Sequence, residues 1–290
     1  MKFCSNNLIS GLSEIYKNYD FFFIDLWGVI HNGIKVFSSS KRVLQELRNN
    51  NKEVVLLTNA PRRASVIKEQ LEGFGIPKDL YKEVISSGEA TWNSMKKKTM
   101  VNRNKLNCYH IGPPRDFHLT EELDLKIVNE IEKADFILNT GPWGEDDCLE
   151  NYKKILYDLS KLKLPMICSN PDKNVIRGNS FMICAGLLAD FYEQLGGSVE
   201  YFGKPFSGIY QNCYEVINSC ESGKILIVGD SLENDIKGAN NQNLDSLLVA
   251  SGIHRNIYNN KNVDIDKLND LIKKKIVYLI FLFQNLLGKL

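Results

Sequence analysis

Phe21-Phe22-Phe23-Ile24-Asp25-Leu26-Trp27-Gly28-Val29 is the stretch from which the fold is read. An unbroken apolar run that ends in Asp25, with Gly28 close behind, reads as a short strand buried on both faces, as strands of a parallel sheet are. Such a strand delivers its carboxylate to the carboxyl edge of the sheet, where ligands bind in open α/β folds. By itself the stretch also has a plainer reading, because Asp at a strand end is a common turn former.

The pattern recurs along the chain. Glu53-Val54-Val55-Leu56-Leu57-Thr58-Asn59 is another apolar run, closed by a hydroxyl and an amide and followed by Pro61. Lys224-Ile225-Leu226-Ile227-Val228-Gly229-Asp230 is a third, and Ser231, Asn234 and Asp235 follow it. Between them Phe202-Gly203-Lys204-Pro205 sets a lysine in a glycine-proline turn, a more constrained place than a solvated surface charge needs. Helical patterns over residues 38–49 and 63–74 separate the first strands, so the chain reads as βα units around a mostly parallel sheet. Each site residue keeps a bland alternative: Thr58 as an ordinary strand threonine, and Asp235 as an acid in the first turn of a helix capped by Ser231.

Asp25, Thr58, Lys204 and the pair Asp230 and Asp235, in this order, resemble the four motifs of the haloacid dehalogenase-like phosphohydrolase superfamily. The resemblance is carried by Asp25-x-x-Gly28-Val29-x-x-x-Gly33, Leu57-Thr58-Asn59, Ser169-Asn170-Pro171-Asp172, Gly203-Lys204-Pro205 and Gly229-Asp230-Ser231-x-x-x-Asp235-Ile236, and it spans residues 20–253. The chain is similar to class IIA, whose large α/β cap lies between the second and third motifs. Within that class it resembles a subgroup with Asp-x-Trp-Gly-Val in the first motif and Thr-Asn-Ala-Pro-Arg in the second, here Thr58 to Arg62. The resemblance implies an α/β protein: a Rossmann-like parallel-sheet core from residues 1–86 and 172–290, with a smaller α/β cap domain inserted at 87–171. Short strands at residues 106–111, 136–139 and 165–169 and helical stretches at 90–98 and 145–161 fit such an insert.

The activity implied is magnesium-dependent hydrolysis of small phosphate monoesters through an aspartyl-phosphate. Phosphoryl transfer needs an in-line nucleophile and positive charge around the equatorial oxygens. Carried over by motif, Asp25 is the nucleophile. Asp25, Asp230 and the main-chain carbonyl of Trp27 are the Mg2+ ligands. Lys204 neutralises Asp25 and one phosphate oxygen, Thr58 and Asn59 bind the phosphate, and Asp235 orients a metal-bound water from outside the ligand set.

Trp27 is the departure. In ordinary members a second Asp stands there, protonating the leaving group and then deprotonating water. The indole N–H only donates. General acid-base help is worth about 10²- to 10⁴-fold in rate, so its loss slows turnover without abolishing it. Three outcomes stay open: a phosphatase for good leaving groups or with a proton shuttle such as His31, a weakly active or non-catalytic phosphometabolite-binding protein, and a Trp27 that stacks on an aromatic substrate. Gly141-Pro142-Trp143-Gly144-Glu145 is a candidate substrate loop, or a plain strand-to-helix turn.

With 290 residues, 43% apolar and 24% charged, the chain has the length and composition for two globular units. A net charge of +1 argues against nucleic acid as a partner, and the resemblance implies a small phosphorylated metabolite instead. A homo-oligomer is compatible with it. Seven cysteines, an odd number without a Cys-x-x-Cys pair, suit a reducing cytoplasm. No secretory signal is read at the amino end. Residues 276–283 are wholly apolar but Gln284 and Asn285 break the run well short of the ~20 residues of a membrane helix. They read as a buried final strand capped by Leu286-Leu287, with no membrane partner. His110 and His118 lack zinc-ligand company.

Overall fold

The computed structural model describes residues 8–101, 105–178, 180–218, 224–249, 252–259, 262–275, 277 and 279–283. Phe21–Ile24 lies inside a seven-stranded sheet whose order is Leu8–Ile9, Phe281–Phe283, Asp245–Leu248, Ile225–Gly229, Phe21–Ile24, Glu53–Thr58 and Glu83–Ser86, every pair parallel. The apolar runs show no alternation because helices cover both faces. Phe22, Ile24, Val54 and Leu56 pack with Leu44 and Leu47 of the helix Ser40–Asn49 and with Ile67 and Leu71 of Ala64–Gly73. Phe23, Val55 and Leu57 point the other way, onto Ile209, Tyr210 and Cys213 of Ser207–Ile217. Burying one such side chain is worth about 1.5–3 kcal/mol, so the two faces fix the strand's register and orientation together.

A second sheet of five parallel strands runs in the order Val199–Tyr201, Met166–Cys168, Phe136–Asn139, Leu106–Ile111 and Leu125–Val128. Helices Glu150–Lys161 and Ala185–Gln194 pack together on it through Tyr152, Leu156, Leu159, Leu188 and Tyr192. This corrects the expected boundary at residue 172. Val199 pairs with Met166, so the chain returns to the first sheet only after Tyr201. Residues 185–201 form an apolar helix and strand whose pattern suits either sheet, and only pairing decides between them.

Two local differences have plain causes. The helix expected from residue 145 begins at Glu150, because Gly144 N–H donates to the Asp147 carboxylate and holds a turn there. The final strand shrinks to Phe281–Phe283, with Leu286 and Leu287 outside the described residues. Between the sheets Asn174–Arg177 and Ser180–Ile183 make an antiparallel hairpin that the sequence reading missed. Gly178 N–H of its turn donates to Asn32 O, seating the hairpin on the loop after Phe21–Ile24. No helix among the described residues is long and apolar enough to cross a membrane.

Candidate active site

Register brings the site together. Ile24 stands opposite Leu56 on one side and Val228 on the other, so Asp25 leaves the sheet level with Leu57 and Gly229, next to Thr58 and Asp230. Asp25 N–H donates to Val228 O, which fixes the departing backbone. The carboxylates of Asp25, Asp230 and Asp235 each offer an oxygen within 4.8 Å of the others, with Asp25 and Asp235 buried and Asp230 half-buried as a residue. The two acids whose separation decides whether one cation can bridge them are therefore neighbours.

Lys204 enters from the turn after the second sheet and is 2% exposed. Its Nζ donates to Asp25 Oδ1 and to Asp235 Oδ1, each at 2.7 Å, and to Leu57 O at 3.2 Å. Although burial lowers its pKa, the carboxylates of Asp235 and Asp25 overcome this and hold it well above the usual lysine range. Burial raises the pKa of Asp25, Lys204 opposes it, and Asp235 adds to it. Asp230 is raised by burial and then by Asp25 and Asp235. Three carboxyls crowd one ammonium, so Asp25 and Asp230 hold on to protons rather than ionise together, and a bound cation would favour their ionised forms.

Glycines make room for this packing. A Cβ on Gly28, which has φ +83°, would stand 2.0 Å from Asp230 Oδ2, and one on Gly252 would stand 1.8 Å from it. Asp230 Oδ2 accepts from Ile253 N–H at 3.0 Å. Asp235 lies in the short π-helical turn Leu232–Ile236, whose N-cap Ser231 accepts from Asn234 N–H. Asp235 Oδ2 accepts from Ser231 N–H while Oδ1 takes Lys204. The helix-turn reading and the site reading of Asp235 thus describe one side chain.

Thr58 and Asn59 border the same cleft, with different capacities. Thr58 Oγ1 accepts from Ala60 N–H, so its hydroxyl hydrogen is left to donate. The Asn59 side chain is committed: Nδ2 donates to Asp172 Oδ1 and Lys204 O, and Oδ1 accepts from Lys204 N–H. It steadies Lys204 instead of offering a spare amide. Asp172 was in the Ser-Asn-Pro-Asp motif without a role; it accepts from both Asn59 and Asn234, and burial raises its carboxyl to about 6.

Trp27 does not lie open to a ligand ring on all sides. Its N–H donates to Ile176 O in the hairpin at 2.8 Å, and its ring meets His31 edge-on at 5.5 Å. His31 is 4% exposed and lies between Trp27 and Phe74. Its Nδ1 accepts from Gly33 N–H, and burial, with Arg62 acting the same way, lowers its pKa to about 4. It is a neutral imidazole at neutral pH. Trp143 is turned to Tyr152: its main-chain N–H donates to the Tyr152 hydroxyl and the rings lie 4.8 Å apart.

Asp25, Trp27, His31, Thr58, Asn59, Lys204 and Asp230 border a cleft of about 500 Å³ between the first sheet's carboxyl edge, the hairpin and the second sheet, with Gly141 and Pro142 in its lining but not Trp143. Arg62, at the first sheet's edge, and Arg115, Asp116, Thr140 and Arg177 also line it. Sequence patterning gave no sign of Asp116, which stands in a short 3₁₀ segment, Pro114–Leu119, far in the chain from every motif.

Comparison with known proteins agrees with this architecture. The profile of a family described as haloacid dehalogenase-like hydrolase matches residues 22–126, and one described as HAD-hydrolase-like matches 201–271. A hydrolase of the haloacid dehalogenase-like family from Brucella suis 1330 is 31% identical, with a TM-score of 0.83 over 97% of this chain and all of that one. The 5′-nucleotidase YutF of Bacillus subtilis (strain 168) is 24% identical over 241 residues, 82% of this chain and 89% of that protein. A p-nitrophenyl phosphatase from Archaeoglobus fulgidus, 17% identical, shares the fold with a TM-score of 0.70 over 93% of this chain and 98% of its own.

Proposed function

The chain belongs to the haloacid dehalogenase-like hydrolase family, and on that premise we propose that it hydrolyses small phosphate monoesters through an aspartyl-phosphate at Asp25. The observation that carries this reading is the buried cluster in which one ammonium, Lys204, holds two carboxylates beside a third. Lys204 engages Asp25 Oδ1, which leaves Oδ2 to attack phosphorus while the ester oxygen departs with the P–O bonding pair. Water then attacks the acyl phosphate, releasing inorganic phosphate and restoring the carboxylate. Lys204 and the Thr58 hydroxyl offset charge on the phosphate oxygens, and Asn59 and Asp172 keep Lys204 in place.

Asp25, Asp230 and the main-chain carbonyl of Trp27 would hold a magnesium ion. The donor set suits a hard cation, being all oxygen, and three acids offer ligand atoms within 4.8 Å of one another. When bound, the ion supplies the positive charge that lets an anionic ester approach an anionic carboxylate. Asp235 stays outside the ligand set, both its oxygens accepting hydrogen bonds from Lys204 and Ser231. Residues 87–201 serve as a cap over the cleft in this reading, in the class IIA manner, and the free cysteines at 108, 148, 168, 184 and 213 suit a reducing cytoplasm.

With Trp27 tied to Ile176 and His31 held neutral, the loop after Asp25 supplies no second carboxylate, so esters with good leaving groups turn over faster than alkyl ones. The same observation favours a second reading, a weakly active or non-catalytic binder of phosphometabolites. Hydrolysis of p-nitrophenyl phosphate against an alkyl phosphate separates them. Aryl turnover that disappears in Asp25→Asn and alkyl turnover that rises in Trp27→Asp support the enzyme. Absence of turnover on either ester, with magnesium-dependent phosphate binding retained, supports the binder.

A further inference from the structure

An ester with a poor leaving group needs a proton donor, and the loop after Asp25 has none to give: the Trp27 N–H is spent on Ile176 O, and His31 is buried and neutral. Among the described residues that border the cleft, three acids stand outside the cluster of Asp25, Asp230 and Asp235: Asp116, Asp172 and Glu233. Asp116 has one oxygen sealed from solvent and the other bonded to Thr140, and Glu233 is ion-paired with Lys275. Asp172 differs from both. Its Oδ1 accepts from Asn59 Nδ2 at 2.8 Å and from Asn234 Nδ2 at 2.6 Å, while its Oδ2 takes no hydrogen bond from any described residue and is not sealed from solvent. One oxygen is fixed and the other is left to exchange a proton. Its placement agrees with that use. Asn59 Nδ2 reaches both Asp172 Oδ1 and Lys204 O, and Lys204 Nζ holds Asp25 Oδ1. Asp172 leads into the hairpin strand Asn174–Arg177, so the indole that stands in the place of an acid anchors the segment that carries one. Burial raises the Asp172 carboxyl to about 6, the charge of Lys204 and the Asn59 amide oppose the rise, and Asp235 adds to it. Asp25 and the thiols of Cys168 and Cys184 are its other titratable neighbours. A carboxyl in that range gives a proton and takes one back near neutral pH.

We propose that Asp172 is the general acid and base of this chain, acting on the leaving oxygen and then on water in place of the carboxylate that Trp27 displaces. In the first step Asp25 Oδ2 bonds to phosphorus, the P–O bond to the ester oxygen breaks with its electron pair on that oxygen, and Asp172 Oδ2–H supplies the proton that makes it an alcohol. In the second the Asp172 carboxylate takes a proton from water as the water oxygen bonds to phosphorus and the bond to Asp25 breaks, its pair returning to Asp25. Asp172 ends the turnover protonated, as it began. It can play this part only if Asp25 forms the aspartyl-phosphate proposed above.

The test is Asp172→Asn, whose Oδ1 can still accept from Asn59 and Asn234, with kcat and kcat/KM measured on ethyl and p-nitrophenyl phosphate and the fold checked by thermal unfolding. Because kcat/KM covers only the steps up to the aspartyl-phosphate, it reads the acid alone. It should fall about 10²-fold or more on ethyl phosphate and stay within a factor of about three on p-nitrophenyl phosphate, whose leaving group needs little protonation. On the aryl ester kcat should fall together with KM, since the base acts only after the intermediate has formed. An equal loss of kcat/KM on both esters, or none on either, overturns the proposal, and the equal loss marks Asp172 as a support for Lys204. A wild type that hydrolyses the aryl ester alone overturns it too and leaves the phosphatase reading standing, whereas a wild type that hydrolyses neither ends both. If the variant does not fold, wild type decides. At pH values where both esters are dianions, its ethyl-to-aryl ratio of kcat/KM should fall as pH rises and Asp172 ionises, and a flat ratio overturns the proposal.

Discussion

Lys204 is the residue on which the site's stability and its chemistry both turn. Burying an ammonium is tolerable because two carboxylates meet it, and leaving those carboxylates without it is not. Lys204→Met should therefore destabilise the metal-free protein by about 3–5 kcal/mol in urea unfolding, the cost of breaking a buried ion pair from one side, and abolish turnover. His31 gives a pH-dependent expectation. Its pKa is 6.5 in the unfolded chain and about 4 when folded, so between these values the unfolded state binds a proton the folded state refuses, and stability falls as pH falls. His31→Asn keeps an acceptor for Gly33 N–H but does not titrate. The stability of wild type minus that of the variant should shrink by about 2 kcal/mol from pH 7 to pH 5 in paired urea titrations. The same variant tests the proton shuttle: a pH-rate profile unchanged in shape removes His31 from that role.

At the scale of elements, strand ends and glycines do the positioning. Gly28 combines a positive φ with a contact that a Cβ would turn into overlap with Asp230. Gly28→Ala should displace Asp230 and weaken magnesium affinity at least tenfold by calorimetry, in addition to costing stability in urea. The hairpin Asn174–Arg177 and Ser180–Ile183 hangs on the indole of Trp27. Trp27→Phe removes one hydrogen bond worth about 1 kcal/mol, and it should raise KM for p-nitrophenyl phosphate more than it lowers kcat if the hairpin closes the cleft over the ester. Proteolysis at the hairpin turn should quicken in the same variant. Elements that begin or end an apolar run were legible before any coordinates: Phe21–Ile24, Glu53–Thr58 and Ile225–Gly229 stand as expected, and Leu106–Ile111 and Phe136–Asn139 keep their bounds. Leu125–Val128 and the hairpin were not, since a short segment at a sheet edge or outside the sheets carries little apolar signal of its own.

For the whole molecule, the two sheets and the hairpin enclose one cleft, so a ligand that binds the folded chain couples to global stability. Magnesium at one hundred times its dissociation constant should stabilise the protein by about 2.7 kcal/mol, read as a rise in Tm that grows with the logarithm of concentration. Asp230→Asn should lose that rise. Because burial beside Asp25 and Asp235 raises the Asp230 pKa, folding without metal opposes its ionisation at neutral pH and costs stability, so the Asn variant should at the same time unfold at a higher temperature than metal-free wild type, a sign opposite to that of an ordinary core substitution.

The sequence alone determined the three strands Phe21–Ile24, Glu53–Thr58 and Ile225–Gly229 of the first sheet and the family to which the residues at their ends point, because an apolar run closed by Asp25, Thr58 or Asp230 states locally both that it is buried and where it ends. Tertiary structure alone decided which sheet takes Val199–Tyr201, that Asn59 is spent on Lys204 and Asp172, and that Asp116, with a buried unpartnered Oδ1, comes to border the cleft. Those are matters of pairing and of unmet hydrogen bonds between segments far apart in the chain, and neither leaves a periodicity in the residues that make them.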